Sequence, residues 1–170
     1  MFNKTKAPLT RAQALQEYAG ARSNLLLMLI LTLVNVVLYF AGTGTMMLFS
    51  ASVPYFSVIF GHAFTMETGS DIFLYAGIAV AAVVLIAYLF CWIFSKSNYG
   101  WMVFALVLFI VDTLVMGAMY LFVLEDVSGV LDVIVHLWVL AYLILGARRG
   151  AQLKTLPEDE PVPAEPTEVQ

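Results

Sequence analysis

Apolar residues dominate four long runs, approximately Leu25–Ala41, Ile72–Phe94, Trp101–Leu124 and Gly129–Ala147. A helix needs roughly 20 such residues to cross a hydrocarbon core of about 30 Å. The runs are continuously apolar and do not alternate every second residue, which excludes the strands of a membrane barrel. The pattern therefore predicts an all-α polytopic membrane protein with four transmembrane helices in an up-down bundle. The first run is the shortest, so that span either borrows Ser23 and Asn24 or tilts less than the others. Its length and the poor cleavage site at Phe40-Ala41-Gly42 speak against a removed signal peptide. The third and fourth runs are separated by a turn of only about four residues, which makes them antiparallel neighbours.

The segments between and beyond the runs complete the organisation. Residues 1–22 form a leader, in which Thr10 as N-cap and Gln13 three residues on predict an amphipathic helix over 9–21. It is expected to lie along the membrane surface. Residues 23–147 hold the transmembrane domain. Residues 148–170 are a tail, basic at first and then acidic and rich in proline (Pro157, Pro161, Pro163, Pro166), with almost nothing to bury and a disordered reading. The loop 42–71 is unusual, because its centre, residues 46–60, is too apolar for a solvated connection. Pro54 with Ser50, Ser52 and Ser57 makes it a poor fifth span. It reads as a partly membrane-embedded element, interfacial or re-entrant, since irregular backbone at depth is tolerated only against protein or water.

Charge orients these elements. Lys4, Lys6, Arg11, Arg22, Lys96, Arg148, Arg149 and Lys154 all fall on one side of a four-span chain, while Glu67, Asp71, Glu125 and Asp126 fall on the other. The positive-inside rule places both termini in the cytoplasm. Arg11, Arg22, Lys96, Arg148 and Arg149 are then candidates for contact with lipid headgroups of the bilayer. Composition agrees with a membrane address: 62% of the 170 residues are hydrophobic and 12% charged, where soluble domains carry about 25% charged residues. Mean hydropathy is +0.91. A net charge of −4 without a basic stripe between the termini disfavours nucleic-acid partners. The one cysteine, Cys91, excludes an internal disulfide or a cysteine-based zinc site.

Polar groups well inside a span are costly and mark candidate sites. Asn35 in the first run, Asp112 in the third and His136 in the fourth qualify, with Asp132 one turn further out than His136. Asp112 lies roughly 16 Å from the start of its helix, near the midplane. The short turn brings the third and fourth helices together, so an Asp112–His136 contact is expected. Asp132 and His136, spaced i and i+4, share a helix face. These groups form a candidate proton- or ion-exchanging layer, with Asn35 as an orienting residue. The plainer reading is hydrogen-bonded glue between helices, worth only about 0.6 kcal/mol per contact on average. A metal site on Asp112, Asp132 and His136, with His62 as a further ligand, is the sharper alternative.

Three functions compete on these residues. The first is movement or sensing of a proton, ion or small solute through the Asp/His/Asn layer. The second is a non-catalytic accessory or scaffold with membrane or cytoplasmic protein partners. The third is a metal-dependent membrane enzyme. No phosphate-binding loop, nucleophile elbow, Cys-x-x-Cys or dinucleotide fingerprint is present, and no catalytic residues or organic cofactor are assigned. Four helices enclose little room, so a solute path points to a homo-oligomer.

Two further patterns bear on packing. Gly77, Ala81 and Ala82 place small residues on the second span for close helix approach. Leu31-x-x-Val34-Asn35-x-x-Leu38 parallels Leu108-x-x-Val111-Asp112-x-x-Val115, a faint direct repeat that makes Asn35 and Asp112 equivalent. The stretches Asn35–Tyr55, Cys91–Thr113 and Leu131–Arg148 resemble a group of small uncharacterised bacterial four-helix membrane proteins over about residues 20–150. The resemblance implies a bacterial inner-membrane location and carries no activity and no functional residues.

Overall fold

The computed structural model describes residues 9–45, 47–122 and 130–158. Among them the secondary structure is helical throughout: α1 (Arg11–Phe40), α2 (Ser52–Thr68), α3 (Ile72–Phe94), α4 (Gly100–Phe122) and α5 (Val130–Gln152). Four of these, α1, α3, α4 and α5, are long and apolar enough to cross a membrane. The chain is thus an all-α multi-pass membrane protein. The junction between the third and fourth spans, with Glu125 and Asp126, lies outside the described residues, as do Lys4, Lys6 and most of the acidic tail.

Each spanning helix buries a seam with alternating three- and four-residue spacing, the pattern that keeps one narrow face on a neighbouring helix. In α1 the buried positions include Ala21, Leu25, Met28, Thr32 and Asn35. In α4 they are Met102, Ala105, Phe109, Asp112 and Met116. In α5 they are Asp132, His136, Val139, Leu143, Gly146 and Gly150. The helices close a ring in which α5 lies between α1 and α4, and α3 completes the circuit between them. Lipid chains give no hydrophobic drive for this association, so close packing of small residues matters. A side chain added at Gly146 would meet the Ala21 side chain at 2.7 Å, which is why α1 and α5 approach so closely.

The leader is not a helix of its own but the first turns of α1. The expected capping box is present, with the Thr10 hydroxyl accepting from the Gln13 N–H and the Gln13 side chain accepting from the Thr10 N–H. From there α1 runs without a break into the first span, over about 45 Å. The reason is the seam: buried Ala14 continues the spacing of Ala21 and Leu25, so the leader packs on protein. Gly20 is a lone helix-interior glycine and does not interrupt it.

The apolar loop supplies the fifth helix. After Phe40 the chain reverses through Gly42 and Gly44, both at positive φ (67° and 64°), and descends beside α1. It then enters α2, which climbs back out and ends on Gly69 at φ 71°. Helix α2 packs mainly along α3 and also touches α1 and α4, wedging into one end of the bundle. Gly61 and Gly77 face each other where α2 and α3 meet. A side-chain carbon at Gly61 would lie 2.6 Å from the Phe73 carbonyl oxygen, and one at Gly77 would overlap the Ser57 carbonyl. Ala81 is buried on the same α3 face, whereas Ala82 is exposed.

Candidate functional site

The start of α2 poses a physical problem. A helix that begins buried among other helices presents N–H groups with no intrahelical partner and no ready access to water. Three residues, Thr32, Asp112 and Pro54, resolve it. The Ala51 N–H donates to the Thr32 hydroxyl at 2.8 Å. The Ser52 and Val53 N–H groups donate to the two carboxylate oxygens of Asp112, at 2.9 and 2.8 Å. Pro54 comes next and has no N–H to satisfy. Asp112 is therefore the cap of α2, supplied from α4, about 18 Å along that helix from Gly100. A carboxylate there also sits at the positive end of the α2 dipole.

The descending strand of chain is fixed from α1. Asn35 makes a two-way clamp on Met47, accepting from its N–H at 2.6 Å and donating to its carbonyl at 2.8 Å. The same Asn35 amide donates to the Ser50 hydroxyl at 2.8 Å. Thr32, one turn earlier, donates to the Met28 carbonyl while it accepts from Ala51. Phe49 holds a left-handed backbone (φ 66°), uncommon for an aromatic residue, and its ring packs edge-on against Trp138 of α5.

His136 closes the site from α5. Its Nδ1 lies 2.9 Å from the Asp132 carbonyl oxygen, which can only accept, so Nδ1 carries a proton. That leaves Nε2 facing two groups at once, the Ser52 hydroxyl at 3.2 Å and Asp112 Oδ2 at 3.3 Å. Phe109 stacks on the imidazole at 5.1 Å and 14°, fixing its plane. Asp112 and His136 are 2% and 3% exposed.

The expected Asp112–His136 contact is thus present. Asn35 makes no hydrogen bond to either residue; its partners are Met47 and Ser50, in the segment leading into α2. The Asp132 carboxylate is not aimed at His136: it accepts from the Tyr120 hydroxyl at 2.5 Å, and the contact to the imidazole is through the Asp132 backbone. Among the described residues no three His, Cys, Asp or Glu side chains converge in a group that could hold a metal. His62 lies apart, 2.7 Å from the Tyr39 hydroxyl. Thr32, Ser52 and Tyr88 join the site without having been singled out in the sequence. The Tyr88 hydroxyl is buried, within electrostatic range of Asp112, and has no hydrogen-bond partner among the described residues.

The headgroup candidates divide. Arg22 turns inward, donating to the Ser95 hydroxyl at 2.9 Å and the Trp92 carbonyl at 3.1 Å at the end of α3. Arg11 donates to the Leu153 and Leu156 carbonyls just past α5. Arg149 pairs with Glu17 at 2.6 Å. These three tie helix ends together, while Lys96 and Arg148 are exposed. No family model, curated protein or solved structure matches the chain.

Proposed function

We propose that the protein moves or senses protons, or an ion or small solute coupled to them, in a bacterial cytoplasmic membrane with both termini in the cytoplasm. The observation that carries this reading is the geometry at His136 Nε2. With Nδ1 committed to the Asp132 carbonyl, a neutral imidazole would aim its Nε2 lone pair at an ionised Asp112 only 3.3 Å away. A proton on either group can be shared between them, and the Ser52 hydroxyl at 3.2 Å can donate to Nε2 when the ring is neutral, so the ring can sit beside Asp112 with or without that proton.

The exchanging pair and the position of α2 are linked by this arrangement. His136 Nε2 meets Asp112 Oδ2, and Asp112 is the group that holds the start of α2. The neighbouring Tyr88 hydroxyl is buried and without a hydrogen-bond partner among the described residues. Discontinuous helices whose N-termini face anionic groups near the midplane are a recurring device for binding and gating in membrane transport. Here the anionic group is the protein's own Asp112.

The test uses protein reconstituted into vesicles loaded with a pH-sensitive dye. Wild type is expected to relax an imposed pH gradient, and Asp112→Asn and His136→Gln to lose that activity while remaining folded. A wild-type preparation as proton-tight as protein-free vesicles, or variants that relax the gradient as fast as wild type, overturns the proposal.

A further inference from the structure

At the opposite end of the bundle from α2, the start of α1, the α3–α4 turn and the end of α5 surround a cavity of about 530 Å³. We infer that this cavity binds a phosphate-bearing anion. Three cations line it, each from a different part of the chain: Arg11, Lys96 and Lys154. No Asp or Glu is among its described lining residues. The nearby carboxylate of Glu17 is held by Arg149.

The lining is built, not a chance gathering of surface lysines. Lys154 Nζ lies 4.7 Å above the Tyr99 ring, which places its charge. Arg11 spends Nη1 on the Leu153 and Leu156 carbonyls, so its guanidinium is fixed while Nε and Nη2 keep no partner among the described residues. Tyr18 and Tyr99 converge on Gly150, where an added side-chain carbon would lie 2.9 Å from the first ring and 2.5 Å from the second residue's Cβ. Tyr18 is itself anchored by donating to the Ser95 carbonyl at 2.7 Å.

Three cations brought together without an acid repel one another, and an anion between them removes that repulsion. Phosphate suits the task better than a single carboxylate, because its several strong acceptor oxygens can bridge donors arriving from three directions. Two lining residues bond to tryptophans, the Ser95 hydroxyl donating to the Trp92 carbonyl and the Asn98 carbonyl accepting from the Trp101 N–H, and tryptophan is a residue type that marks the membrane–water boundary. The phosphate can therefore come from a lipid headgroup or from a soluble phosphorylated molecule.

Native mass spectrometry of the full chain in detergent, with phosphatidylglycerol against phosphatidylcholine, reads the lipid source. Thermal unfolding with added inorganic pyrophosphate reads the soluble one. Wild type is expected to retain phosphatidylglycerol selectively, or to be stabilised by pyrophosphate, and the active arm identifies the source. The double variant Lys96→Gln with Lys154→Gln, both exposed positions, is expected to bind about tenfold more weakly. Arg148→Gln, exposed and outside the cavity, is expected to bind as wild type does. The inference falls if wild type shows neither effect, if the double variant binds as wild type does, or if Arg148→Gln loses as much.

Discussion

Asn35 and Asp112 hold the two ends of one segment: Asn35 clamps Met47 where the chain descends, and Asp112 caps Ser52 and Val53 where it turns into α2. The two residues occupy matching places in the Leu31–Leu38 and Leu108–Val115 patterns, on helices that run in the same direction. In both cases a midplane side chain accepts backbone N–H groups that lipid could not satisfy. A neutral amide serves where one N–H and one carbonyl need partners, and a carboxylate serves where two N–H groups do.

Removal of that cap is expected to be more damaging than its neutralisation. Asp112→Ala leaves the Ser52 and Val53 N–H groups without partners, at a cost of about 2–3 kcal/mol. Asp112→Asn keeps one acceptor oxygen and should lose about half of that. Denaturant titration of the purified protein in mixed micelles checks the order.

The contact between α2 and α3 depends on Gly77. Gly77→Ala puts a methyl group into the Ser57 carbonyl and should destabilise by about 1–3 kcal/mol or displace α2. Gly117→Ala, in α4 with nothing within 4 Å, should be neutral or slightly stabilising. Comparing the two variants in the same unfolding assay separates the clash from any general effect of replacing glycine.

The basic end offers a graded comparison. Glu17 and Arg149 are 38% and 21% exposed, so Glu17→Gln should cost no more than about 1 kcal/mol and less at high salt. Arg22→Ala removes two hydrogen bonds to the end of α3 and the packing of its guanidinium 6.0 Å over Trp92. It should cost about 1–2 kcal/mol with little salt dependence. Thermal unfolding at two ionic strengths distinguishes them.

The spanning helices were legible because hydropathy over some twenty residues is a strong signal. The contact of Asp112 with His136 followed from a short connection between their helices. Helix α2 was harder to read. Pro54 argued against a fifth span, and its location in the first turn of a helix, where a missing N–H is harmless, is visible only once the partners of Ala51, Ser52 and Val53 are known. Those partners lie on α1 and α4, far away in sequence, and no local pattern encodes them. Thr32 did carry a local sign, sharing a helix face with Asn35. For Asp132 the spacing was informative and the atom was not, since the carbonyl and not the carboxylate meets His136. Arg11 and Arg22 read in sequence as surface charges, and their bonds to neighbouring helix ends are visible only in the fold.

The cap on α2 also imposes an order on assembly. Asp112 and His136 are synthesised after the segment they hold, so α1, the descending chain and α2 leave the ribosome before their partners on α4 and α5 exist. Until α4 has inserted, the Ser52 and Val53 N–H groups have a satisfactory environment only in water or within the insertion machinery. The loop can therefore settle into the bundle only after α4, although it precedes three of the spanning helices in the chain.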